Sequence, residues 1–92
     1  MKKINISITG ALGRMGQILI NRISKNKNLK LYSLTYLKVG KKIKNIKIQK
    51  NSLEPFKKTD VIIDFSRPKS SIEILKFAKK LNKKVVIGTT GF

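Results

Sequence analysis

The sequence predicts an α/β fold, an open parallel sheet of about four strands with helices on both faces. Short apolar segments alternate with segments of helical spacing, in the order strand, helix, strand, loop, strand, helix, strand. A glycine-rich segment, Gly10–Gly16, separates the first strand from the first helix. The chain has 92 residues, so we assign residues 1–92 to one domain.

The first half of the chain contains two predicted strands and one predicted helix. Residues 3–9 alternate isoleucine with small or polar residues, which is the period of a strand. From Arg14 to about residue 26, apolar residues recur at helical spacing and predict a helix. The residues of its apolar face are Met15, Leu19 and Ile23. Residues 29–37, which are rich in leucine and tyrosine, are predicted as a second strand.

The middle of the chain, residues 38–51, is rich in lysine and is predicted as a loop. Its isolated isoleucines suggest at most a short extended piece around residues 46–48. Residues 52–58 are predicted as a short helix, with Ser52 as a candidate cap.

The last third contains two short apolar runs, residues 61–65 and 85–87, which are typical of buried strands. Between them, Pro68 is expected to break the chain. The segment Ser70–Glu73 fits the S-x-x-E capping box and predicts that a helix begins there.

The charge composition is strongly basic, with 22 Lys and Arg against 4 Asp and Glu, a formal net charge of +18. Since 19 of the basic residues are lysines scattered over the chain, we interpret them as a solvated surface and expect no specific nucleic-acid binding. The absence of cysteine and histidine argues against disulfides, metal sites and histidine acid–base catalysis. No apolar stretch is long enough to span a membrane, and the N-terminus resembles a strand more than a signal peptide, which predicts a cytoplasmic protein.

The segment Gly10–Gly16 is the strongest indication of function. A strand enters it and a helix leaves it, which is the setting of a dinucleotide-binding loop in a Rossmann-type fold. The spacing is G-x-x-G-x-x-G, with Leu12 where the commoner pattern has its second glycine. We therefore expect Gly13 to allow close approach of a pyrophosphate and Gly16 to allow helix–strand contact. The alternative interpretation is a tight turn with no ligand.

A dinucleotide-binding fold usually has an acid after its second strand that holds the ribose hydroxyls. This sequence has Tyr36, Leu37 and Lys38 there, with no acid between Gly16 and Glu54. Lys38 could bind a 2′-phosphate, or it could be one more solvated lysine. We expect NADPH to bind at least as well as NADH.

Two further segments, residues 64–68 and 88–92, each follow a predicted strand. Ligands of open α/β sheets bind at the carboxyl ends of the strands. Both segments are therefore expected to converge on the same crevice as the glycine loop.

Three motifs together resemble the N-terminal domain of the 4-hydroxy-tetrahydrodipicolinate reductase family, formerly called dihydrodipicolinate reductase. They are Gly10–Gly16 with its G-R-M-G end, the V-I-I-D-F-S-R-P segment 61–68, and V-I-G-T-T-G-F at 86–92. The resemblance implies a Rossmann domain that binds NADPH or NADH, with Arg14 holding the phosphates. The cofactor-binding residues that it implies are Gly10, Ala11, Leu12, Gly13, Arg14, Met15, Gly88, Thr89 and Thr90.

The resemblance also implies what the rest of such an enzyme does. The family reduces a cyclic dipicolinate precursor in the diaminopimelate route to lysine and forms homotetramers through a second domain. Its catalytic histidine and lysine lie beyond the G-T-T-G-F motif, so no catalytic residue is assigned here and the 92-residue chain alone is expected to be inactive. Two alternatives stay open, a remnant without function and a basic nucleic-acid-binding module that reuses the fold.

Overall fold

The computed structural model describes residues 2–88, and in that range it contains one six-stranded sheet. The strands are β1 (Ile4–Thr9), β2 (Leu29–Thr35), β3 (Lys42–Ile43), β4 (Ile46–Gln49), β5 (Val61–Asp64) and β6 (Lys84–Ile87). Their order across the sheet is β3-β4-β2-β1-β5-β6. Every pairing is parallel except β3 with β4. The carboxyl ends of the five parallel strands therefore lie along one edge of the sheet.

Two α-helices cover opposite faces of the sheet, α1 (Arg14–Ser24) and α2 (Pro68–Leu81). Ile20 and Ile23 of α1 pack on the face of β1 that carries Ile6 and Ile8. On the other face, α2 packs through Ile74 and Ala78 against Ile62 of β5 and Phe56 of a short 3-10 helix (Glu54–Phe56). The predicted α/β class, with helices on both faces of an open, mostly parallel sheet, is confirmed.

The short extended piece suggested around residues 46–48 is confirmed, because β4 lies there. The remainder of residues 38–51 was predicted as loop, and this was wrong at β3, so the estimate of about four strands was too low. The two strands form a hairpin whose turn residues Lys44 and Asn45 both have positive φ, of 53° and 65°. Such a turn matches the natural twist of paired strands. Ile48 is fully buried where β4 pairs with β2, so tertiary contact decides the conformation of a lysine-rich segment.

The capping box predicted at Ser70 was also wrong. The helix begins earlier, with Pro68 in its first turn and Arg67 as a cap residue that makes no side-chain capping bond. Proline suits the first helical position because its φ is already helical and its missing N–H would have no partner there. Glu73 is exposed on the helix instead of folding back onto its start.

Burial differs from the predicted pattern in two other elements. On α1 the buried residues are Gly16, Ile20 and Ile23, whereas Met15 is 45% exposed. Strand β6 was predicted to be buried, but Val86 is 57% exposed. Among residues 2–88, β6 pairs with β5 alone, so it is an edge strand of the sheet described here. No helix in this range is long and apolar enough to cross a membrane.

Candidate functional site

A cleft of about 150 Å³ lies at the carboxyl edge of the sheet, and we call it the glycine-loop cleft. It lies beside β1, where the chain order of the strands reverses, with β2 on one side and β5 on the other. This switch point is where open α/β sheets bind their ligands. Its lining includes Gly10, Gly13, Tyr36, Asn51, Ser66 and Arg67. The expectation that the segment after β5 converges on the glycine loop is confirmed.

Gly10 brings these two segments into contact. It has a φ of +65°, in the region that favours glycine, and a Cβ on it would lie 2.5 Å from the carbonyl oxygen of Phe65. The backbone of the loop after β1 therefore packs directly on the backbone of the loop after β5. Only glycine allows that approach, and the approach forms one wall of the cleft.

Gly13 and Gly16 are the other two glycines of the loop, and their surroundings differ. Gly16 is buried on α1, and a Cβ there would overlap the carbonyl oxygen of Gly10, so it allows the predicted contact between helix and loop. Gly13 has an ordinary φ of −72° and caps the start of α1. A Cβ on it would meet one atom within 4 Å, the Gly10 oxygen at 3.2 Å. That contact is tight but milder than the overlaps at Gly10 and Gly16, and residue 13 borders the open cleft.

The other predicted residues of the loop take different positions. Ala11 is fully buried, and its N–H donates to the carbonyl of Thr35 at 3.1 Å. Leu12 packs against the core cluster under α1, which explains how the loop accommodates leucine in place of the second glycine. Arg14 and Met15 are both exposed in the first turn of α1. Of the six loop residues, Gly10 and Gly13 line the glycine-loop cleft.

The remaining predicted residues lie beyond the glycine loop. Lys38 is exposed and is not among the residues that line the glycine-loop cleft. Gly88 donates its N–H to the carbonyl of Asp64 at 2.8 Å, and a Cβ on it would overlap the Phe65 ring. Thr89 and Thr90 lie outside the described residues.

The sequence placed Asp64 in a predicted strand and in a segment expected to reach the crevice but gave it no role of its own, whereas in the structure it anchors the loop after β5. Its fully buried carboxylate accepts hydrogen bonds from Thr9 Oγ1 at 2.5 Å and from the backbone N–H of Ser66 at 2.9 Å. Burial alone would raise the pKa of Asp64, but hydrogen bonds from the Ser66, Ser71 and Thr9 hydroxyls and the Ser66 amide hold the pKa below its ordinary value. The ionised carboxylate thus links the end of β1 to the loop that lines the cleft.

A second and larger cleft, of about 480 Å³, adjoins the first at the ends of β2 and β4, and we call it the lysine cleft. Tyr36, Leu37, Asn51 and Ser70 line both clefts. Lys50, Lys69 and Glu73 line the lysine cleft but not the glycine-loop cleft. Together the two clefts form a groove from the glycine loop past the end of β2, and sequence reasoning missed Lys50, Asn51 and Lys69.

Asn51 lies where the two clefts meet. Its Oδ1 atom is buried and has no hydrogen-bond partner among residues 2–88. A buried acceptor without a partner is costly, so this atom is available to a donor group on a ligand. No group of three His, Cys, Asp or Glu side chains in the described range could hold a metal ion.

These features define a Rossmann-type α/β domain with its glycine loop at the switch point of the sheet. The family model for the N-terminus of dihydrodipicolinate reductase matches residues 4–92. The chain therefore belongs to the dihydrodipicolinate reductase family and corresponds to its N-terminal domain.

Individual relatives agree with this assignment. The chain is 59% identical to the 4-hydroxy-tetrahydrodipicolinate reductase of Pelagibacter ubique, over 100% of the chain and 36% of that relative. It is 49% identical to the enzyme of the same name from Buchnera aphidicola of Cinara cedri, over 98% of the chain and 38% of the relative. The solved structure of dipicolinate-bound dihydrodipicolinate reductase from Paenisporosarcina superposes with a TM-score of 0.81 at 26% identity, covering 98% of the chain and 38% of that structure. The chain spans a little more than a third of these relatives.

Proposed function

We propose that the chain is the NAD(P)H-binding part of a 4-hydroxy-tetrahydrodipicolinate reductase. The observation that carries this proposal is the glycine-loop cleft at the switch point of the sheet, where Gly10 packs on the Phe65 backbone and Gly13 leaves space open in front of α1. The family match, and relatives that carry this enzyme name, support the same function.

The residues present fit the pyrophosphate of a dinucleotide. The first-turn N–H groups of an α-helix have no partners within the helix and favour an anion, and α1 begins directly after Gly13. Arg67 lines the cleft, and Arg14 is exposed at the first position of α1. Both guanidinium groups are suited to phosphate oxygens. The buried Oδ1 of Asn51 fits a donor such as an amino group of the base.

The chemistry that this cofactor supplies when bound is hydride transfer, in this family to a cyclic dipicolinate precursor. The part of the chain described here would bind and orient the cofactor in the groove that the two clefts form. In the proposed enzyme, the substrate-binding groups, the proton donor and the tetramer contacts belong to the remaining two thirds of the relatives' length. A cytoplasmic location remains a prediction from the sequence.

A titration with NADPH tests the proposal, with cofactor fluorescence or calorimetry as the readout. Gly13→Val places a branched side chain at the wall of the glycine-loop cleft, and we expect it to weaken binding by at least about tenfold, since the pyrophosphate can no longer approach the backbone. Asn21→Val is the matched control, because it introduces the same residue at an exposed position of α1 away from this cleft. Thermal unfolding of both variants separates loss of binding from loss of fold. Equal NADPH affinity of the original chain and Gly13→Val would contradict the proposal.

A further inference from the structure

The lysine cleft lies where the adenosine ribose of the cofactor would be. With the pyrophosphate at the glycine loop after β1, the ribose of a dinucleotide reaches the end of the second strand of the fold. Here that position is occupied by Tyr36 and Leu37, which line both clefts. A group attached to the ribose 2′ oxygen would therefore enter the lysine cleft.

The charges in the lysine cleft favour an anion. Lys50 follows β4 directly, and Lys69 is the second residue of α2, so two lysines from separate parts of the chain line the cleft. Neither lysine forms an ion pair with another described residue, and the ion pair found in residues 2–88, Lys57 with Glu54, lies elsewhere. Glu73 is the one carboxylate among the lining residues, which leaves the lining with a net positive charge.

The residues directly after β2 carry no negative charge that would repel a phosphate. A carboxylate there would accept hydrogen bonds from both ribose hydroxyls and would repel a 2′-phosphate. Tyr36 and Leu37 provide no such charge, and Leu37 is 63% exposed. Lys38, the lysine that the sequence singled out, lines neither cleft.

We propose that Lys50 and Lys69 bind the 2′-phosphate of NADPH and give the chain its preference for NADPH over NADH. This inference rests on the proposed function, because it places the cofactor at the glycine-loop cleft. The specificity would then depend on one residue directly after β4 and one in the first turn of α2, in place of the usual position after β2.

The test compares dissociation constants for NADPH and NADH at low salt. The double variant Lys50→Met with Lys69→Met is expected to lower the preference for NADPH by about tenfold or more, while its affinity for NADH changes by less than about twofold. The control is Lys47→Met with Lys79→Met, which removes one exposed lysine from β4 and one from α2, and therefore the same net charge, at positions that do not line the lysine cleft. Adenosine 2′,5′-bisphosphate and adenosine 5′-monophosphate repeat the comparison without the nicotinamide.

The outcomes separate this inference from the proposed function. If the original chain binds both cofactors and the preference of the double variant is unchanged, or if Lys38→Met alone abolishes it, the assignment to Lys50 and Lys69 is wrong and cofactor binding stands. A preference for NADH in the original chain also overturns the assignment to Lys50 and Lys69. In that case, loss of the NADH preference in Glu73→Gln would show that Glu73 accepts hydrogen bonds from the ribose hydroxyls. If neither cofactor binds, both proposals fail. In the supporting case the NADPH preference also shrinks as salt rises, because the contact is ionic.

Discussion

Gly10→Ala is expected to lower the free energy of unfolding by about 3 kcal/mol or more. Two costs add at this residue. Its φ of +65° is unfavourable for any residue with a Cβ, and that Cβ would lie 2.5 Å from the carbonyl oxygen of Phe65. Since the obstacle is backbone, no side chain can rotate away, and the loops after β1 and β5 must separate. The loss is large against the roughly 5–14 kcal/mol expected for a domain of 92 residues.

Gly40→Ala separates the two costs, and denaturant unfolding of both variants measures them. Gly40 also has a positive φ, of +100°, but a Cβ there would meet nothing within 4 Å. It therefore shows the backbone cost alone, about 1–2 kcal/mol. The difference between the variants reports the contact between the two loops. Equal losses for Gly10→Ala and Gly40→Ala would contradict the close packing of the glycine loop on Phe65.

Asp64→Ala is the second substitution with a large expected effect, a loss of about 3 kcal/mol in the free energy of unfolding at neutral pH. It leaves the Thr9 hydroxyl and the Ser66 amide and hydroxyl without the carboxylate that accepts from them. Because Thr9 and Asp64 are both fully buried, water does not readily replace the lost acceptor. Asp60→Ala is the matched control, since its exposed carboxylate accepts a hydrogen bond from the backbone N–H of Asn5 at 2.7 Å and water can take the place of that carboxylate.

The same carboxylate predicts how stability depends on pH. The pKa of Asp64 is lower in the folded chain than its ordinary value, since hydrogen bonds outweigh burial, so the ionised form favours folding. Its contribution is fully present above the ordinary aspartate pKa of about 3.9 and is lost as pH falls through the lower folded pKa. Unfolding measured from pH 6 to about pH 2 should therefore show a shallower acid loss for Asp64→Ala than for the original chain. Parallel curves would show that Asp64 does not stabilise the fold through its charge.

The elements that the sequence predicts well are those whose pattern is local. The alternating isoleucines of β1, the glycine loop and the helical spacing after Arg14 each carry their own signal, and all three lie where predicted. By contrast, the short alternating pattern I-K-I-Q of β4 suggests only an extended piece, and its place in the sheet depends on Ile48, which is buried where β4 pairs with β2. Local composition cannot show such a partner.

The residues of the candidate site also differ in whether a local sequence pattern could predict them. Gly10 and Gly13 were predicted from a contiguous motif, and both line the cleft. The hydrogen bond between Asp64 and Thr9 joins residues far apart in the chain, and no spacing rule connects them. Lys50 and Lys69 likewise line one cleft only because β4 ends and α2 begins at the same edge of the sheet. Lys38 was selected among the lysines only because it follows the predicted second strand in the sequence.

The most direct test of the account is to locate the bound cofactor on the chain. Amide ¹⁵N–¹H spectra of the labelled 92-residue protein, recorded while NADPH is added, report which backbone groups sense the nucleotide. We expect saturable shifts at residues 10–16, at Asn51 and at residues 65–70, with little change at the end of α1. Shifts confined to exposed lysine-rich segments, and abolished by moderate salt, would contradict it and indicate nonspecific binding of a polyanion by a basic surface.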